Sequence, residues 1–149
     1  MSDTIPEFTR FGHDDAWALG CLIVEACRAE KLTVSASIRL GEQRVFHAAL
    51  PGSSHDLDNW LERKSNIVSH FNMSSMEVNQ TYIRDNDFAG FWTAFGLAPE
   101  RYFPSGGAVP LRVNGALVGV VALSGVDSPT EHRIILAAMT EYAAKENAK

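Results

Sequence analysis

The stretch WLERKSNIV, residues 60 to 68, has the spacing of an amphipathic helix with a cation set into its apolar face. At about 100° per residue, Leu57, Trp60, Leu61, Ile67, Val68 and Phe71 fall on one side, and Lys64 projects near the centre of that side. An ammonium placed there has two readings. In one, its stem packs and its amine reaches solvent or a carboxylate across a subunit contact. In the other, Arg63 and Lys64 form the rim and floor of a pocket for an anion, because a desolvated ammonium costs several kcal/mol unless it is paired.

Two further stretches have residue types that can hold a ligand. Pro104-Ser105-Gly106-Gly107-Ala108-Val109-Pro110 brings a double glycine into a strand. Such glycines serve a loop with unusual backbone angles, or let N–H groups approach a carboxylate or phosphate closely. Ser124-Gly125 precedes the pattern Ser128-Pro129-Thr130-Glu131, which reads as a capping box with proline at the first helical position. In this reading Glu131 is the reciprocal cap, and His132 is either a surface histidine or part of an anion site at the helix start. Chain-wide, there is no Walker loop, dinucleotide fingerprint, CxxC, HExxH or GxSxG motif. The five histidines lack the spacing of a closed metal site, so no structural zinc is expected.

The elements that must position these residues follow from periodicity. His13 to Lys31 reads as a helix that is apolar nearly all round, which needs cover from a sheet and from another subunit. Its Cys21 and Cys27 lie about 240° apart around the axis, too far to bridge, and read as reduced, buried thiols. Thr33 to Leu40 alternates as a strand covered on one face, and Gly41-Glu42 turns it into a second arm, Gln43 to Leu50. Asp56 to Asn72 is the helix that carries Lys64, and Phe88 to Phe95 is a short aromatic helix stopped by Gly96, destined for core or subunit contact. Met73 to Asp87 gives no clear pattern. Asn114-Gly115 joins Ala108–Val113 to Ala116–Ser124 in a type I′ hairpin; the second arm is apolar on both faces and belongs at the sheet centre, while Pro110 keeps the first arm near an edge. The order α-β-β-α-α-β-β-α predicts an α+β fold, read as one domain over residues 1–149.

Composition narrows the function classes. A formal charge of −5 is the wrong sign for a nucleic-acid-backbone binder. No segment approaches the roughly 20 apolar residues of a membrane span, and the acidic first twenty residues lack an export signal, so a cytoplasmic protein is expected.

Taken together, NWLERKSNIVSHFNMSS, RYFPSGGAVPLRVNGALVGVVALSG and Glu131-His132 resemble the small haem-degrading-domain proteins of the GlcG/HbpS/PduO-C type, in particular their cytoplasmic branch. The likeness covers most of the chain and rests on the order of Trp60, Arg63, Lys64, Ser74-Ser75, Gly106-Gly107, Pro110, Gly119, Ser124-Gly125 and His132. The resemblance implies a profilin-like five-stranded antiparallel sheet of order 2-1-5-4-3 flanked by helices, and assembly into homo-oligomers. It implies Glu131 at a position where that branch usually has aspartate. Some relatives bind haem and are linked to its breakdown; others accompany glycolate or corrinoid metabolism. The expectation is a homo-oligomer that binds a small anionic or tetrapyrrole-like ligand, haem among them, at Arg63, Lys64, Gly106, Gly107, Ser124, Gly125 and His132. The competing expectation is a non-catalytic assembly or adaptor protein in which Arg63 and Lys64 make salt bridges between subunits. A haem enzyme would need an axial ligand from His47, His55, His70 or His132.

Overall fold

The computed structural model describes residues 4–148. Helix α1 (His13–Ala29) leads into strands β1 (Ser35–Leu40) and β2 (Gln43–Ala49). Three helices follow, α2 (His55–Phe71), α3 (Ser75–Tyr82) and α4 (Phe88–Phe95), then β3 (Ala108–Val113), β4 (Ala116–Ser124) and the terminal α5 (Ser128–Asn147). The strands make an antiparallel sheet of order β2-β1-β4-β3.

Both hairpins form where the turn chemistry demands. Gly41 has φ +56°, while Asn114 and Gly115 have φ +50° and +83°, the pair of left-handed residues that a type I′ turn needs. β4 sits between β1 and β3 with both faces covered, and β3 with its proline is an edge strand, as the pattern predicts. The sheet nevertheless has four strands among the described residues, not five in the order 2-1-5-4-3. The segment between α2 and β3 folds instead into α3 and α4. α3, absent from the α-β-β-α-α-β-β-α expectation, starts where the Ser74 side chain accepts from Glu77 N (3.1 Å) and buries Val78.

One face of the sheet packs on α1 and α5 through Ala36, Ile38, Val109, Leu111, Val121 and Leu123. The other packs on α2 through Leu61, Val68, Ala108, Val120 and Ala122. β1 is therefore covered on both faces, contrary to the expectation of one: Ser35, Ser37 and Arg39 are all buried, on the α2 side. The arginine can be buried there because α2 supplies Glu62, Asn66 and Ser69 as its partners. Beyond α2, Phe91 joins Ile67 and Val78 in a separate aromatic-rich core, which places α4 as predicted.

α1 packs on the sheet and α5; Cys27 is buried but Cys21 is only half-buried, contrary to the expectation of two buried thiols, and Trp17 remains 65% exposed, edge-on to Phe46 at 5.6 Å. α5 is capped by Asp127, one residue before the expected Ser128; its carboxylate accepts from Thr130 N at 3.0 Å. That substitution of caps frees Glu131 for another role.

Burial, aided by the Glu30 and Glu131 carboxylates, pushes the Cys27 thiol from its ordinary value of 9.0 up to about 11. The folded chain thus keeps a proton that the unfolded chain releases, so this contribution is intact below pH 9 and is lost as pH rises to about 11. Linkage puts the loss at about 2–3 kcal/mol. Burial and the Asp15 contact also raise Tyr142, which adds to the alkaline decline. Urea unfolding at steps from pH 8 to 11 is expected to show falling stability, and Cys27→Ala to flatten part of that slope.

Candidate functional site

The inward side of α2 lies along the sheet, and where β4 ends this side presents Lys64, 2% exposed. Its Nζ donates to Leu123 O at 2.5 Å, to Glu131 Oε1 at 3.0 Å and to Gly106 O at 3.3 Å. The three donors of the ammonium are all engaged. Leu123 N donates to Gly107 O at 2.8 Å. A regular antiparallel pair would exchange a second bond between these residues, and here Lys64 is the donor to Leu123 O in its place.

Glu131, 3% exposed in the first turn of α5, completes the arrangement. One carboxylate oxygen takes Lys64; the other accepts Gly125 N (2.8 Å) and Val126 N (3.1 Å), fixing the loop that leaves β4. Gly107 makes the room: with φ +113°, a Cβ there would lie 2.5 Å from Glu131 Oε1 and 2.7 Å from Leu123 O. Burial pulls the Lys64 ammonium below its ordinary value and pushes the Glu131 carboxyl above its own, while their mutual attraction opposes both shifts. Three acceptors thus surround the ammonium and three donors the carboxylate. Above it opens a cleft of about 280 Å³, walled by Leu57 and Trp60 and edged by Ser105, Ser124, Gly125 and Ser128.

A family model for haem-degrading HbpS-like proteins matches residues 11–140. A UPF0303 protein of Streptomyces avermitilis is 38% identical over 143 residues, covering 95% of this chain and 85% of the relative. One from Edwardsiella ictaluri is 35% identical, covering 87% and 82%. This chain belongs to the HbpS-like family. Among solved structures, the Ybr137w protein superposes with a TM-score of 0.80 at 21% identity, covering 93% of this chain and 82% of that one. A PduOC:heme complex superposes at 0.74 and 16% identity, covering 87% and 93%. These two likenesses show a shared fold.

In this HbpS-like chain, Lys64, Ser124 and Gly125 line one cleft, while Gly106 and Gly107 lie against the Lys64–Glu131 pair and do not line it. Arg63 does not join them. One residue further around α2, its guanidinium lies 4.5 Å from the Trp60 ring and 5.0 Å from that of Phe103, and donates to Pro99 O at 2.8 Å, lining a separate polar cleft of about 710 Å³. His132 is buried and does not line the Lys64 cleft. The negative partner that the buried ammonium requires is Glu131, read from sequence as a cap; only a fold that brings α5 beside α2 could identify it. Lys64 is equally unavailable for a salt bridge to another subunit, which corrects that part of the assembly reading. Of the other histidines, His47 pairs with Asp58 at 2.8 Å, His55 is exposed beside the same carboxylate, and His70 lines a third cleft. The described residues contain no cluster of three or more His, Cys, Asp or Glu placed to hold a metal, and no helix among them is long and apolar enough to cross a membrane.

Removing one partner leaves the other charge buried and alone. Lys64→Met is expected to lower stability by about 3–5 kcal/mol, and the double variant Lys64→Met/Glu131→Gln to recover most of it, measured as urea midpoints. Gly107→Ala should destabilise through both its positive φ and the clash with the pair.

Proposed function

We propose that this HbpS-like chain is a small-ligand-binding protein whose site is the cleft over the Lys64–Glu131 pair. The observation that carries the reading is a fully hydrogen-bonded, buried acid–base pair at the floor of an open cleft with one aromatic wall and a rim of serines. Perturbed titratable groups in a concave site with convergent polar atoms are the usual mark of a binding site. The longest of the three ammonium contacts, 3.3 Å to Gly106 O, is the one a ligand's oxygen can replace. A carboxylate or carbonyl oxygen bonded to Lys64, with its carbon frame against Trp60, is therefore the chemistry that suits the site. Ser124 and Gly125 would bound the ligand, and the Ser105–Ser128 hydroxyl pair, 2.9 Å apart, would close its mouth.

The PduOC:heme complex supports a haem-type ligand for the fold, and the family name points the same way. The cleft residues do not fit a haem held through its iron, since none of them brings an imidazole, thiolate or thioether. The ligand proposed here makes its bonds through oxygen. Homo-oligomeric assembly remains part of the proposal, with Trp17 and the half-buried side of α1 as its contact surface and Lys64 excluded from it.

Thermal-shift measurements on the wild type and on Ser128→Leu, whose added bulk fills the cleft, test the reading against a panel of small carboxylates, ketones and haemin. At least one carboxylate or ketone should raise the wild-type melting temperature saturably and leave the variant unmoved. A panel in which no compound separates the two proteins would count against the site, and a Soret-band shift retained in the variant would put haemin elsewhere.

A further inference from the structure

Lys64 has a counterpart at the other end of the same sheet face. Arg39, 8% exposed on β1, stands four residues from Ser35, about 13 Å along the strand from the Lys64 end. A register shift between Ile38 and Arg39 marks the spot in the β1–β2 pairing. Its Nη1 donates to Asn66 Oδ1 at 3.1 Å and to Glu62 Oε1 at 3.4 Å, and its Nη2 to Ser69 Oγ at 2.7 Å. Three of the five N–H donors are thereby used; Nε has no partner, and one N–H remains on Nη2.

The countercharge is incomplete as well. Glu62 is 54% exposed and shared with Arg44 at 3.6 Å, so it answers two guanidiniums. A buried cation with spare donors and a divided, solvated partner favours a second anion. Arg39 lines a cleft of about 380 Å³ to which Arg101 and His70 add nitrogen groups and Tyr102, Leu117 and Val118 an apolar wall. The Arg101 guanidinium lies 5.9 Å from the Tyr102 ring, as does the His70 ring, edge-on. Among the described residues, Glu42 at the rim is the one acidic side chain lining this cleft.

We propose that this cleft is a second binding site, one that takes the carboxylate of a small organic acid with a flat apolar body. The carboxylate bonds Arg39 and Arg101, and the flat body lies against Tyr102, Leu117 and Val118. Guanidinium groups suit this task because their N–H donors match the two oxygens of a carboxylate. None of the described residues lines both this cleft and the one over Lys64, so the site stands apart from the function proposed above.

The test is calorimetric titration of the whole chain with benzoate and with benzamide, its uncharged counterpart. Saturable binding of benzoate and none of benzamide is expected. Arg101→Gln, on an exposed side chain, should weaken benzoate about tenfold, and Glu42→Gln should tighten it about two- to fivefold. Arg39→Gln should abolish measurable binding, with its melting temperature recorded alongside because the residue also anchors α2. Ser128→Leu, which fills the other cleft, should leave benzoate binding unchanged. Equal affinity for benzoate and benzamide, wild-type affinity in Arg101→Gln, or loss of binding in Ser128→Leu would each overturn the assignment.

Discussion

A single ion pair, Lys64 with Glu131, ties together four parts of the chain that are far apart in sequence. Through it α2 meets the start of α5, the Leu123 carbonyl of β4 and the double glycine that precedes β3. Burying both charges gives no assurance of net stability, since an apolar pair of similar volume often does as well. What the pair supplies is a fixed geometry. An ammonium that must satisfy Leu123 O, Gly106 O and Glu131 at once allows α2 one position along the sheet, and the glutamate in turn holds the N–H groups of Gly125 and Val126. Glycine at position 107 is a consequence, because any side chain there would occupy the space of the pair.

Much of this was legible in the amino-acid order, and the illegible parts have physical reasons. Turn chemistry at Asn114-Gly115 and the two-sided apolar pattern of β4 placed both hairpin and central strand, because those signals are local. The lysine on an oily helix face announced a buried charge in need of a partner for the same reason. Its partner could not be read: Glu131 had a sufficient local explanation as a cap, and the closing distance of 3.0 Å spans 67 residues. The burial of Arg39 was hidden too, since alternation takes polar residues to face water and cannot foresee a helix that offers Asn66, Ser69 and Glu62 in return. α3 escaped because its eight residues bury little beyond Val78 and Ser75, too short a stretch for a period to show.

Arg63 and Lys64 illustrate how adjacent cations diverge. One residue is about 100° of helix, enough to send Lys64 to Leu123 O near the end of β4 and Arg63 out onto Trp60 and Phe103. A guanidinium tolerates that half-exposed aromatic seat, whereas an ammonium gains more from three oxygen acceptors. The order Arg-Lys on α2 thus suits the two environments, and the reverse order would put a fork-shaped donor set where a point charge fits.

The α2 face of the sheet consequently has polar ends and an apolar middle. Leu61, Val68, Ala108, Val120 and Ala122 fill the centre, with Lys64 toward one end and Arg39 toward the other. Each cation is buried by a different element, the first from the helix reaching toward the sheet and the second from the sheet reaching toward the helix. They differ in how far they are satisfied. The ammonium has spent every donor within the chain, against an equally buried carboxylate; the guanidinium keeps two donors and leans on a solvated one. A ligand oxygen at the lysine end must displace a contact the fold already makes, the 3.3 Å bond to Gly106 O, whereas one at the arginine end meets donors the fold has left over. The two ends of the face thus differ in what an incoming anion has to replace.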